Sequence, residues 1–154
     1  MGHLLPRFDC QLVRNSSSKY TCSPRLSGSD EARRFCEETF EDLANAIQET
    51  FAVVLLDTQN KPIGRVDITT GTLDSSLVHP REVFRAAIAG SASSIILVHN
   101  HPSGDCTPSR EDRAVTTRLI EVGDLVGIRV LDHVIVGFNE STQRVVSSSV
   151  MASI

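Results

Sequence analysis

Two short apolar runs, Phe51 to Leu56 and Ile95 to Val98, constrain this chain more than any other feature. Each is rich in Val, Ile and Leu and is bounded by polar residues. Neither approaches the roughly 20 apolar residues that a bilayer-spanning helix needs. Continuous apolarity, rather than alternation, marks a strand buried on both faces. A sheet covered on both faces needs helices to cover it, and the segments between the runs carry helical spacing. The expected class is therefore α/β: a mixed β-sheet flanked by α-helices.

The remaining elements follow from local signals. Residues 1–28 are expected to form a mobile lead-in, because Asn15 to Ser29 is rich in Ser and contains Pro24 and Gly28. The folded domain is then 29–154. Ser29-Asp30 is placed to cap a helix running to about Phe40, with Ala32, Phe35, Cys36 and Phe40 on its inner face. Thr58 to Lys61 reads as a turn joining the first strand to a second near Ile63 to Thr69. Gly71 to Ser75 reads as a loop. Pro80 opens a helix whose apolar face holds Val83, Phe84, Ala87 and Ile88, and Gly90 closes it. A further helix starts at Ser109 and ends near Gly123 or Gly127; strands follow at Ile128 to Val136 and Val145 to Ser149.

Charge and cysteine usage narrow the function classes. Residues 1–34 hold six basic and three acidic side chains, whereas the rest holds nine basic and sixteen acidic. An acidic body speaks against direct nucleic-acid binding, which depends on Lys and Arg neutralising phosphates. The four cysteines, at 10, 22, 36 and 106, form no C-x-x-C pair, so a structural zinc ribbon is unsupported. With no secretory leader and no membrane span, the expected compartment is the cytoplasm.

The chemistry concentrates between Leu97 and Asp112. His99 and His101 lie two apart at the end of a buried strand, so both imidazoles leave on one side if extended geometry continues. Asp112 falls in the first turn of the next helix, where the helix dipole favours its ionised form. Two imidazoles and a carboxylate are a three-ligand set for Zn2+, the ligand count of a catalytic rather than a structural site. Ser109-x-x-Asp112 is equally a capping-box pattern, and both residues have an alternative reading as helix starters. As a whole, H-x-H-x7-S-x-x-D arises by chance in on the order of one chain in several thousand of this length.

That pattern matches the JAMM (MPN+/JAB) metalloprotease motif at each fixed position. Its flanks, "GTLDSSLVHPREVF", "IILVHNHPSGD" and "VLDHVIVG", resemble the RadC branch of the superfamily over roughly Ala46 to Gly137. The likeness is to a short standalone form without the helix-hairpin-helix region of longer RadC-type proteins. It implies a JAB/MPN fold related to cytidine deaminases, with zinc on His99, His101 and Asp112. It also implies an upstream glutamate as general base. Glu49, just before the first strand, matches that position; Glu82 is the rival, though its place in a helix first turn suits capping or an ion pair. Ser109 would donate a hydrogen bond to an oxyanion or orient water.

The implied reaction is hydrolysis of a peptide or isopeptide bond in a protein or peptide substrate, with ubiquitin-like conjugates as the family precedent. Asp132 and His133 are read first as a packed polar pair and second as support for the ligands. Gly104 and Asp105 shape the loop between ligands. Cys106 departs from the usual proline and reads as a tolerated substitution. The alternative function is a non-catalytic JAB/MPN protein-binding module, and a DNA-processing role follows only from the historical DNA-repair label of the RadC branch. H-E-x-x-H is absent, as is the H-x-E with P-C-x-x-C of a deaminase.

Overall fold

In a computed structural model, residues 2–17, 19–21, 25–70 and 78–153 are described; the expected loop at Gly71 to Ser75 lies outside them. The apolar run after residue 50 forms β1 (Thr50–Leu56), which turns back into β2 (Pro62–Thr70). The second run forms β3 (Ser94–Asn100), followed by β4 (Arg129–Asn139) and β5 (Arg144–Ser149). The five strands lie in the order β2-β1-β3-β4-β5. β3 and β4 are parallel and their other neighbours are antiparallel. This is the mixed sheet that the sequence predicts, and β1 and β3 are buried at every position.

Alternation divides the sheet into two apolar faces. Ala52, Val54, Leu56, Ile96 and Val98 meet Phe35, Cys36 and Phe40 from α1 (Ser29–Thr39) and the residue after it, with Leu43 and Ala44 from α2 (Glu41–Ala44). Phe51, Val53, Leu55, Ile95 and Leu97 face Val83, Phe84 and Ala87 of α3 (Pro80–Ala89), with Val115 and Leu119 of α4 (Arg110–Val126). Each fully buried aliphatic or aromatic side chain contributes on the order of 1.5–3 kcal/mol, so both layers are needed to hold the strands between them. Before α1, Leu26 is already buried, and its N–H donates to the Asn60 carbonyl.

Two local expectations are corrected. Gly28, not Ser29 or Asp30, is the residue before the first turn of α1; Asp30 instead pairs with Arg33 at 2.6 Å. Ile88 is 61% exposed, because Ala86 and Ala87 already fill the α3–sheet contact. The four-residue α2 is too short to leave a periodic signal. Gly127 adopts φ 78° and ends α4 in the left-handed conformation open to glycine.

The β3–β4 pairing carries a bulge. Ile95 pairs with Val130 but Ile96 pairs with Asp132, leaving Leu131 as the extra residue. The bulge reverses the phase of β4, so that His133, opposite Leu97, is carried on the α4-covered face.

Candidate metal centre

His99 is the penultimate residue of β3 and 3% exposed. The extended path continues one residue further, since the His101 N–H donates to the Val136 carbonyl at 2.9 Å. The two imidazoles therefore do leave on one side, with ring centroids 4.9 Å apart. Asp112 reaches them from the first turn of α4. Its Oδ1 lies 3.0 Å from His99 Nε2 and its Oδ2 lies 3.1 Å from His101 Nε2. One ligand atom from each residue fits within a span of 4.8 Å.

The two readings of Ser109 and Asp112 hold together. The Asp112 N–H donates to Ser109 Oγ at 3.0 Å, and the Ser109 N–H donates to Asp112 Oδ2 at 2.7 Å, closing a capping box. Asp112 thus begins the helix and faces the histidines. Burial opposes its ionisation, but the facing His101 and His99 rings and the Ser109 N–H outweigh that and hold its carboxyl far below the usual range. For His101 burial works against the charged form, yet the Asp112 carboxylate and the Asp105 carbonyl raise its pKa.

The donor set is suited to a cation. His101 Nδ1 lies 2.7 Å from the Asp105 carbonyl oxygen, an acceptor only, so this nitrogen carries the proton. In the neutral ring Nε2 is then a bare lone pair aimed at a carboxylate oxygen. Two lone-pair donors facing each other at this distance repel unless a proton or a metal ion lies between them. Oxygen and imidazole ligands in a set of three fit zinc.

These side chains line a cavity of about 550 Å³ that also includes Glu49 and Ser109, with Phe51, Val78 and Val115 as apolar wall. Glu49 immediately precedes β1 and is held in place by Asn100. The Asn100 amide, fully buried, accepts from the Thr50 N–H at 2.7 Å and donates to the Gln48 carbonyl at 3.0 Å, bracketing Glu49 on both sides. Nothing in the residue pattern marks Asn100 beyond its place between the histidines. Glu82 lies outside the cavity lining and pairs with Arg85 at 2.8 Å within α3.

His133 is the second residue whose importance the sequence understates. It is fully buried, and its Nε2 is 2.8 Å from His99 Nδ1. Desolvation, with the neighbouring His99, pushes its pKa well below the ordinary histidine value. Asp132 turns to the other face, where its Oδ1 accepts from Ser149 Oγ and from the His133 N–H. The loop after His101 is set by Gly104, at φ 84°, and by Asp105, whose side chain accepts from Thr107. Cys106 points away into a small cluster with Ile135 and Val150; burial, then the charges of Asp105 and Glu37, push its thiol up to about 11.

A family model, that of the RadC-like JAB domain, matches residues 26–149. The chain belongs to the RadC-like JAB domain family. Its similar relatives include a UPF0758 protein of Desulforamulus reducens, 56% identical over 107 residues, which are 70% of this chain and 47% of the relative. Another, from Caldanaerobacter subterraneus subsp. tengcongensis, is 54% identical over 121 residues, 73% of this chain and 52% of the relative. A third, from Geobacter sulfurreducens, is 45% identical over 123 residues, 80% and 52% respectively. This RadC-like chain spans about half the length of the curated relatives it matches. No helix among the described residues is long and apolar enough to cross a membrane.

Proposed function

We propose that this chain is a zinc-dependent hydrolase of peptide or isopeptide bonds, acting on a protein or peptide substrate, with ubiquitin-like conjugates as the first class to try. One observation carries the reading: His99, His101 and Asp112 converge in a cavity whose rim also holds Glu49 and Ser109. Zinc held by the three ligands supplies Lewis acidity and brings the pKa of water toward neutrality. Glu49 takes a proton from the attacking water and returns it to the leaving amine, the role of a carboxylate free to reach both. Ser109 Oγ already accepts the Asp112 N–H, so its own proton is available to donate to an oxyanion. Phe51, Val78 and Val115 exclude bulk water from one side and strengthen each of these interactions.

The test has two stages. Wild type and His101→Ala are dialysed against a weak chelator and their zinc measured; about one zinc per chain, lost in the variant, is expected. Zinc-loaded wild type and Glu49→Gln are then incubated with peptide and ubiquitin-like fusion panels. Cleavage by wild type alone supports the hydrolase. Zinc retention without cleavage across the panels favours the binding module instead, and failure to hold zinc overturns the metal centre itself.

A further inference from the structure

The hydrogen bonds behind His99 have a direction that can be read without ambiguity from one end. Thr116 Oγ1 lies 2.6 Å from the Asp112 carbonyl oxygen, one turn earlier in α4. A carbonyl only accepts, so the single hydroxyl proton of Thr116 is committed there. Thr116 Oγ1 is also 2.6 Å from His133 Nδ1, and having no second proton it must accept. His133 therefore carries its proton on Nδ1. Its ring is fully enclosed, with both nitrogens taken up by Thr116 and His99, an environment that disfavours a bare charge. Its Nε2 is thus an acceptor, and the 2.8 Å contact requires the proton to sit on His99 Nδ1. His99 Nε2 is left as the nitrogen that faces Asp112 Oδ1, at 3.0 Å.

We propose that Thr116 and His133 form a buried relay that holds a proton on His99 Nδ1 and so reserves Nε2 for the metal, making both positioning residues of the metal centre. The relay is a closed circuit: it begins at the Asp112 main chain and ends against the Asp112 side chain. Two ligands are thereby oriented by one network, and helix α4 cannot shift along β4 without disturbing both. His101 has a separate and simpler lock, the Asp105 carbonyl, so the two imidazoles are set independently. Such outer partners typically govern about 10–100-fold in metal affinity. The inference rests on the metal-centre reading above for its consequence, while the proton on His99 Nδ1 is a property of the metal-free protein.

The experiment uses both properties. In metal-free wild type, ring 15N shifts from NMR should show Nδ1 of both His99 and His133 protonated, with Nε2 of His133 bare. Zinc affinity is then measured by chelator competition for wild type, Thr116→Val, Thr116→Ser, His133→Leu and His133→Gln. Valine and leucine are expected to lose about 10–100-fold, whereas serine and glutamine, which keep an oxygen in the chain of bonds, retain most of the affinity. Thermal melts of each variant separate this effect from unfolding, and Thr116→Val carries the test should His133→Leu fail to fold. His99 with no proton on Nδ1 in wild type overturns the relay. So does wild-type affinity in a folded Thr116→Val. Should wild type itself bind no zinc, the metal-centre reading fails, and the NMR result alone decides whether the relay exists.

Discussion

Ser109 and Asp112 exchange two hydrogen bonds, 2.7 and 3.0 Å, that start α4 while the same carboxylate faces both histidines. Helix initiation and ligand placement are one structure here. The dipole of α4 and the Ser109 N–H both favour the charged carboxylate that a metal requires.

Ser109→Ala removes the cap acceptor but leaves the backbone donor to Asp112 in place. The expected loss is about 1 kcal/mol of stability, or roughly 2–4 °C in melting temperature for a chain near this size, with zinc stoichiometry unchanged. Ser109→Thr should restore most of it. Calorimetry beside metal analysis checks this; zinc lost along with the cap would show that the hydroxyl itself helps hold the metal.

Gly104 stands at φ 84°, and a Cβ there would lie 2.5 Å from the Phe138 carbonyl oxygen. Gly104→Ala is expected to lose about 1–3 kcal/mol and to weaken zinc binding, because the Gly104 N–H and the Asp105 carbonyl both hold His101. Gly127→Ala is the control. Its φ is 78° but nothing lies within 4 Å of the added atom, so it should destabilise without touching zinc. Urea titrations and chelator competition on the two variants give the comparison.

Cys106, with its thiol pushed up to about 11 by burial and by Asp105 and Glu37, is expected to resist iodoacetamide at pH 8 in the folded protein. Cys10 is exposed and should react under the same conditions. Peptide mass spectrometry before and after denaturation reads both. Equal rates at the two positions would contradict the enclosed setting of Cys106.

Arg65, on β2, bonds Asp42 with its two terminal guanidinium nitrogens at 2.8 and 2.9 Å and lies over the Phe40 ring. Partial burial opposes Asp42 ionisation, but the hydrogen bond and charge of Arg65 win and lower its pKa. A depressed folded-state pKa adds stability above the unfolded carboxyl value, near 3.9, and loses it as pH falls through the folded value. Solvent screening limits the pair to about 0.2–1 kcal/mol. Asp42→Asn should therefore melt slightly lower than wild type at pH 7, with the gap closing in acid; a gap independent of pH would point to packing instead.

Much of this was legible from residue order. The strands β1 and β3 announce themselves because full burial forces unbroken apolar runs, and Pro80 and Ser109 mark helix starts by their own backbone chemistry. His99, His101 and Asp112 are brought together as their spacing suggests. What escaped reading depends on tertiary pairing. Simple alternation along β4 puts Val130 and His133 on opposite faces, and only the bulge at Leu131 carries His133 to His99. Asn100 looks like a strand end, and its grip on Thr50 and Gln48 spans fifty positions of chain. Ile88 fits the helical stripe, yet it stays largely exposed.

The β3-α4-β4 crossover, Ser94 to Asn139, holds both histidines, the capping aspartate and the whole circuit behind His99. Glu49 arrives from a different stretch, before β1, joined to the crossover through Asn100. The candidate ligand set thus lies on one uninterrupted segment, whereas the proposed base lies on another. Loss of Glu49 would leave His99, His101 and Asp112 together on an unchanged scaffold. The reverse loss is harder at Asp112, whose carboxylate also closes the capping box of α4.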